Sequence, residues 1–456
     1  MVTGRPIMLI EKVIRFSIGV TLVAALAGCT IHPAGENAER EAALQAGKPF
    51  TRPAEDKDLP PLPDDPKPDD LVRYALLRNA DLEQRYWEWR SAIEQIPQDG
   101  TQASTLALSA GTTITKGKAS AGSSNIGVLN DPMTDIHWPG TLATAAQRSL
   151  ENARSAGFRF CKAQYELRNK VLSAYADLAL GADLIRLEQA DVELLQTTAM
   201  VVEARNRAGS AGQQDLLKAR NELDLSRNNV ANIQSQLPTL RAALNALLSR
   251  EPDAPLATPA GLPPPRPMSL SDAQLLDLAA RQNPGLAALA ADIRARHEGT
   301  ELARLQYVPD FNVSFSTDLM GIAQSLAGSA TIPLLRYQAI NASIAQAEAN
   351  LKASEAMRRQ AQNDLNSQVV MDIAILRDAD RQLDVFEHIV LPRARQVVTV
   401  GRSAYETGQS TLVDFLDSER SLIAVQRLIA NLRSTREKRL ADLEAVTAQG
   451  LSEVTR

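Results

Sequence analysis

The sequence predicts a mainly α-helical fold with a small β part, built as a duplicated unit of long antiparallel coiled-coil helices and β-hairpins. Aromatic residues make up only 4% of the 456 residues. Alanine, leucine, glutamine, arginine and glutamate dominate, a composition typical of long helices. Apolar residues recur at every seventh position over long stretches, which indicates coiled-coil packing. Gly209 and Asp215 recur 199 residues later as Gly408 and Asp414, which indicates an internal repeat.

The N-terminal residues have the pattern of a lipoprotein leader. Basic residues precede an apolar run over 16–26, and the small residues Ala-Gly lead into Cys29. We expect a signal peptide over 1–28 and a lipid on Cys29 that lies in the outer membrane, because Thr30 rather than aspartate follows the cysteine. The alternative is an uncleaved anchor, but the apolar run is shorter than the ~20 residues that a spanning helix needs. Residues 29–69, rich in proline and aspartate, predict an extended tether.

The rest of the chain is predicted to form two similar halves that contain strands. The predicted segments are a first repeat at 70–250 with a β-hairpin at about 101–140, a proline-rich connector at 251–268, a second repeat at 269–448 with a β-hairpin at about 308–335, and a tail at 449–456. In the second hairpin the apolar residues that alternate with polar ones are Phe311, Val313, Phe315, Ala330, Ile332 and Leu334. Such alternation is typical of a strand between lipid and a wet lumen.

Each predicted hairpin leads into a long helical region, about 141–207 and 337–406, and a second helix returns from it. The heptad positions of the returning helices are Leu216, Leu223, Val230, Leu237 and Leu244 in the first repeat and Phe415, Leu422, Ile429, Arg436 and Leu443 in the second. This regularity predicts two antiparallel coiled coils per chain. Arg436 and Arg439 interrupt the seam, which predicts wider spacing or solvent at that level. Pro392 removes one backbone hydrogen bond and is expected to kink or loosen a turn.

A helical tip joins the two long helices of each repeat, at about 206–214 and about 405–413. The second tip places Tyr405, Gly408, Asp414, Leu416 and Asp417 at spacings that resemble the TolC-type outer-membrane efflux family, and the chain resembles a lipoprotein member of it. The resemblance covers nearly all of residues 70–448. It implies an outer-membrane factor of a tripartite efflux or type I secretion system, working with a periplasmic adaptor and an inner-membrane pump. It further implies a homotrimer that forms a 12-stranded β-barrel and a periplasmic α-helical tunnel.

The resemblance also assigns candidate site residues at the tips. It implies that Asp414 and Asp417 form a periplasmic gate as two carboxylate rings, and that Asp215 bonds to Tyr405. The alternative for Asp414 is that it only complements a helix N-terminus. Some family members carry an arginine two residues after the tip glycine, where this chain has a serine, so a salt-bridge lock is not expected there. The tip residues expected to dock the adaptor are Gly209, Ser210, Ala211, Gly408, Gln409 and Ser410.

Several function classes are disfavoured by the sequence. The net charge of −5 argues against a nucleic-acid partner, since phosphate binding needs a basic face. The four histidines are scattered without a carboxylate or cysteine at ligand spacing, so we expect no enzyme activity, no cofactor and no metal site. The remaining alternative is an outer-membrane-anchored periplasmic coiled-coil lipoprotein that serves as adaptor or spacer without a transmembrane barrel. The cargo, whether drug, metal ion or protein, stays open.

Overall fold

The computed structural model describes residues 30–51, 62–101, 138–266, 268, 270–318, 324–333 and 335–451, together with short strands within 106–128. The predicted signal peptide and Cys29 lie outside the described residues. The chain forms two units. The first comprises the described residues within Met1–Ala46, Trp87–Phe158 and Ala287–Arg359, and the second those within Gly47–Tyr86, Arg159–Leu286 and Gln360–Arg456.

The fold is mainly helical, as predicted. Its helices are α1 (Glu36–Ala46), α2 (Pro68–Arg78), α3 (Ala80–Gly100), α4 (Pro139–Arg207), α5 (Gln213–Leu247), α6 (Asp272–Gln282), α7 (Pro284–Leu305), α8 (Tyr337–Val385), α9 (Leu391–Glu406) and α10 (Leu412–Thr447). Its strands are β1 (Leu106–Gly111), β2 (Ile114–Thr115), β3 (Lys118–Ala119), β4 (Ser123–Val128), β5 (Asp310–Asp318) and β6 (Gln324–Thr331). Two short helices, strands and two long helical regions thus follow one another twice. No helix within the described ranges combines the length and apolar character needed to cross a membrane.

An asparagine divides the helical region that opens each repeat into two helices. Asn79 ends α2, its side-chain amide donates to the Leu247 carbonyl at 3.0 Å, and its side-chain oxygen accepts from the Leu82 amide at 3.0 Å. Asn283 repeats the arrangement between α6 and α7: its side-chain oxygen accepts from the Leu286 amide and its amide donates to a carbonyl near the end of α10. Each asparagine therefore caps the following helix and fastens it to a coiled-coil helix.

The strands of the first unit form one antiparallel sheet in the order β1-β4-β5-β6, and β2 and β3 pair separately. The register between β5 and β6 places Phe311 opposite Ala330 and Phe315 opposite Leu326. Strand β6 ends at Thr331, so Ile332, which the alternation assigned to the strand, lies beyond it and is exposed. Leu334 lies outside the described residues. The alternation overran the strand because Pro333 cannot continue a ladder.

The predicted extended tether contains a helix, which corrects the sequence prediction. Glu36–Ala46 forms α1 because its alanines and glutamates favour helix and two acidic residues occupy the first turn. Within the first unit Ala43 is fully buried, and the Trp89 indole of α3 donates to the Glu39 carboxylate at 2.8 Å. The average composition of residues 29–69 is dominated by proline and charged residues, so it does not reveal this short helix.

The heptad positions line the core of the second unit. Buried seam residues include Leu216, Leu244, Phe415 and Leu443. The expectation of solvent around Arg436 is wrong, because the residue is only 6% exposed. Its guanidinium donates at 2.5 Å to Asp380, at 3.0 Å to Glu437 and at 2.8 Å to the Arg266 carbonyl, so burial leaves its charge paired.

A π-helical turn at Phe386–Val390 interrupts the second long helical region just before Pro392. Proline has no amide hydrogen, and its ring crowds the carbonyl four residues earlier, here that of His388. The Leu391 amide instead donates to the Phe386 carbonyl, five residues back. The predicted loosening at Pro392 is therefore present as one wide turn between α8 and α9.

Candidate functional site

Two helical hairpins of the second unit carry the predicted site. The first hairpin is the part of α4 in this unit with α5, and the second hairpin is α9 with α10. Each tip turns at a glycine with positive φ, +73° at Gly209 and +78° at Gly408, a conformation that glycine adopts without strain. The Ser210 amide donates to the Arg205 carbonyl at 2.9 Å and the Gln409 amide to the Ala404 carbonyl at 2.8 Å, which closes each helix C-terminus.

The residues expected to dock an adaptor occupy these two turns. Gly209, Ser210, Gly408 and Gln409 are exposed. The other two, Ala211 and Ser410, are half-buried. The tips thus present small side chains and backbone to solvent, and the docking role stays a prediction.

Asp414 closes a capping box at the start of α10. The Thr411 hydroxyl and amide donate to the Asp414 carboxylate at 2.6 and 3.2 Å, and the Asp414 amide donates back to the Thr411 hydroxyl at 3.2 Å. These hydrogen bonds hold the pKa of Asp414 below its usual value. The helix N-terminal role weighed from the sequence is therefore present, and the exposed carboxylate also stays available for the proposed gate.

Asp417 belongs to a link between the two hairpins. Its carboxylate accepts from Arg420 one turn later at 3.0 Å, and the Arg420 guanidinium also donates to both carboxylate oxygens of Glu222 in α5. Asp417 is 60% exposed whereas Glu222 is 16% exposed. The better-shielded contact is therefore the one that joins the hairpins, and Asp417 positions its arginine.

The predicted Asp215–Tyr405 hydrogen bond is not formed. The Tyr405 hydroxyl is buried and has no hydrogen-bond partner among the described residues. Arg205 of α4 holds Tyr405 instead: its guanidinium donates to the Tyr405 carbonyl at 2.5 Å and lies 4.8 Å from the centre of the ring. The ring stacks on Phe415 with 6.1 Å between centroids. A guanidinium satisfies the carbonyl and the ring face together, which a carboxylate cannot do.

Asp215 still affects Tyr405 through its charge. Burial is the main cause that raises the pKa of the Tyr405 phenol, the Arg205 charge opposes this rise, and the Asp215 charge adds to it. Asp215 occupies the first turn of α5, where a carboxylate complements the helix N-terminus. The predicted pair is therefore close enough for a charge interaction. The contact of Arg205 with the Tyr405 carbonyl and ring joins the two hairpins instead, and we call it the clamp.

An apolar cluster surrounds the clamp and draws on all four helices of the two hairpins. Its buried members are Leu195, Ala199, Val202, Leu216, Ala219, Leu223, Val398, Tyr405, Leu412, Phe415 and Leu416. Below it along the seam, Arg427 of α10 pairs with Glu188 of α4, which is almost fully buried. Polar links between the hairpins therefore lie on both sides of an apolar core.

Sequence reasoning missed the arginines that make these links. Arg205 lies four residues before the first tip glycine, Gly209. It belongs to the last turn of α4, and its carbonyl accepts from the Ser210 amide. Arg420 and Glu222 lie beside the heptad seams, where ion pairs between coiled-coil helices are expected. The sequence shows these residues as charges beside the tips and the seams, but it does not show which groups they contact. No group of histidine, cysteine, aspartate and glutamate in the described part of the chain could hold a metal ion.

The family model described as outer membrane efflux protein matches residues 71–250 and 275–449, most of the chain. The chain belongs to this family. The predicted resemblance and the outer-membrane location are thereby confirmed, and so is the expectation that the chain is not an enzyme, since the family consists of efflux channels.

The individual proteins that this chain resembles share only about a quarter of their aligned residues with it. The probable outer membrane lipoprotein SilC of Salmonella typhimurium is 24% identical over 304 residues, 62% of this chain and 63% of that protein. Protein CyaE of Bordetella pertussis is 27% identical over 300 residues, 60% of this chain and 61% of that protein. The match thus spans less than two thirds of either relative. A solved CusC structure shares the fold, with a TM-score of 0.74 at 18% identity over 93% of this chain and 100% of that one.

Proposed function

We propose that the chain is the duct of a tripartite efflux or secretion system, which passes substrate from an inner-membrane pump and a periplasmic adaptor across the outer membrane. The observation that carries this proposal is the pair of helical hairpins clamped together at their tips, in a chain of the outer membrane efflux family. Breaking the clamp would let the second hairpin move away from the first. A gate of this kind needs no chemistry beyond noncovalent contacts.

The proposed assembly is a homotrimer. In the described sheet, β1 and β6 each pair on one side only, so a neighbouring copy could pair with the free edges. Three copies would contribute four strands each to a 12-stranded barrel, with the helices continuing as a periplasmic tunnel. The lipid on Cys29 would anchor each chain, a proposal supported by the lipoprotein name of the Salmonella typhimurium relative. The repeat boundaries at 70–250 and 269–448 belong to the same proposal.

The proposed gate combines the clamp with the exposed carboxylates. Asp414 and Asp417 lie one turn apart near the start of α10, and both side chains are exposed. Three copies would bring six carboxylates together and attract cations. Arg205 on Tyr405 and Arg420 on Glu222 would hold each chain's second hairpin in the closed position. The small exposed tips at Gly209 and Gly408 would receive the adaptor.

Single-channel conductance of the lipidated protein in planar bilayers tests the proposal. We expect wild type to give small, cation-selective openings, Asp414→Ala/Asp417→Ala to lose cation selectivity, and Arg205→Ala to open more often. Arg207→Ala is the matched control, since its partner Glu203 lies on the same helix. A folded, helical, membrane-anchored protein that never conducts would overturn the duct and favour the spacer without a barrel.

A further inference from the structure

Glu419 is a buried carboxylic acid that the clamp does not use. It lies in α10 and is only 2% exposed, and neither of its carboxylate oxygens has a hydrogen-bond partner among the described residues. The nearby Thr198 hydroxyl of α4 donates to the Leu194 carbonyl at 3.0 Å, and its interaction with the acid opposes the rise of the Glu419 pKa without cancelling it. An ionised carboxylate without partners is costly to bury, whereas the protonated form loses far less on leaving water.

Charged groups act on Glu419 from the three other helices of the two hairpins. Asp191 of α4 and Glu222 of α5 are negative, and Arg402 of α9 is positive. The two negative groups already have partners of their own, because Asp191 accepts from the Ser226 hydroxyl at 2.9 Å and Glu222 is paired with an arginine of α10. Of these three groups, only the Arg402 charge stabilises the ionised form of Glu419, whereas the two carboxylates destabilise it.

We propose that Glu419 is a proton-binding switch between the two helical hairpins, which holds them together when protonated and loosens them when ionised. This inference rests on the proposed function, since it names what regulates the proposed gate. The geometry that supports it is the position of the acid. It lies among α4, α5 and α9, so the hairpins cannot separate without exposing it to water.

The sign of the effect follows from the two environments. In the closed arrangement the pKa of Glu419 is raised from 4.5 to about 7, mainly by burial and also by the Asp191 and Glu222 charges, while the Arg402 charge and the Thr198 hydroxyl oppose the rise. After separation the side chain is in water and returns to its ordinary value. The closed form therefore binds the proton more tightly. The equilibrium constant for closing is highest below about pH 4.5 and falls by up to about tenfold per pH unit between about pH 4.5 and 7. Above that range it becomes constant.

The distance between the tips measures closure without requiring a channel. Spin labels at Ser210→Cys and Gln409→Cys, in a Cys161→Ser background of the full lipidated chain, report this distance by pulsed electron paramagnetic resonance between pH 4.5 and 8. We expect the ratio of separated to closed tips in wild type to rise with pH by up to about tenfold per unit. Glu419→Gln should remain closed and nearly independent of pH, and Glu419→Asp should keep a pH dependence.

Two further variants sharpen the test. Asp191→Asn removes a like charge and should move the wild-type midpoint to lower pH. The control Asp224→Asn removes an exposed carboxylate of α5, 74% exposed, and should leave the profile unchanged. The inference is overturned if wild type shows no pH dependence, or if Glu419→Gln keeps the wild-type slope. Should Glu419→Gln fail to fold, the direction of the Asp191→Asn shift decides.

Conductance recorded at the same pH values separates this inference from the proposed function. If the tips respond to pH through Glu419 but no preparation conducts, the switch stands and the duct fails. If wild type conducts and Glu419→Gln shows the same dependence of open probability on pH, the duct stands and the switch fails.

Discussion

Removing the Arg205 side chain should loosen the hairpin tips selectively. In Arg205→Ala the Tyr405 carbonyl loses a charged donor at 2.5 Å and the ring loses a cation 4.8 Å from its centre. A hydrogen bond to a charged group contributes about 1.5–3 kcal/mol and an exposed cation–π contact about 0.5–1 kcal/mol. Since Arg205 is half-buried and the two terms share one group, we expect a loss of about 2 kcal/mol, which corresponds to about thirtyfold in the closing equilibrium.

Hydrogen exchange measures this loss locally. Amides of the second tip, such as Gln409 bonded to the Ala404 carbonyl, should exchange about thirtyfold faster in Arg205→Ala if exchange requires tip opening. Amides in the middle of α10 should not change. The control Arg207→Ala removes the same charge from a residue whose side chain is 75% exposed, and should change tip exchange by no more than about twofold. Equal effects of the two variants would refute the clamp, and so would unchanged exchange in Arg205→Ala.

The remaining predictions concern the framework that supports the tips. Asn79→Ala and Asn283→Ala should each lower the free energy of unfolding by about 1–3 kcal/mol in thermal denaturation, because a helix cap and a link to a coiled-coil helix are lost together; a neutral result at either site would contradict the capping role. Thr411→Ala should cost about 1 kcal/mol as a lost N-cap. Thr411 lowers the pKa of Asp414, so this cap should be intact above about pH 4 and weaken as the pH falls below the ordinary value of 3.8, measured by chemical shifts of the α10 amides. Arg436→Ala should cost about 2–3 kcal/mol because it strands paired carboxylates, and an equally stable variant would show that the buried charge contributes nothing net.

The long helices could be predicted because the spacing of apolar residues along the sequence is enough to identify them. A seven-residue repeat places its apolar side chains on one face of a helix, and that face is expected to be buried against the partner helix. The structure buries such residues, among them Leu216, Leu244, Phe415 and Leu443. The short helix α1 could not be read from averaged composition, since a few helix-forming residues stand inside a proline-rich stretch. Its stability comes partly from packing on α3, which no local pattern records.

The clamp was hidden for a different reason. The tip motif singled out Tyr405, but the partner that the resemblance assigned to it was a carboxylate, whereas the structure places Arg205 on it. Which side chain reaches across two hairpins depends on their spacing and rotation, and these are set by the apolar cluster between them. Arg436 shows the same limit, because a charge on a seam predicts solvent unless the chain supplies partners for burial, as Asp380 and Glu437 do.

The contacts between the two hairpins differ in how they respond to solution conditions. The apolar cluster around Phe415 depends little on salt or pH, whereas the Arg420–Glu222 pair, whose arginine is 57% exposed, weakens as ionic strength rises. Glu419 adds a contribution that depends on pH and not strongly on salt, because it is buried. Raising the salt concentration at pH 5 should therefore weaken closure through Arg420 while Glu419 remains protonated. Raising the pH at constant salt should weaken closure through Glu419 while the arginine links persist. The two effects should not simply add when applied together, because Glu222 both pairs with Arg420 and acts on Glu419 through its charge.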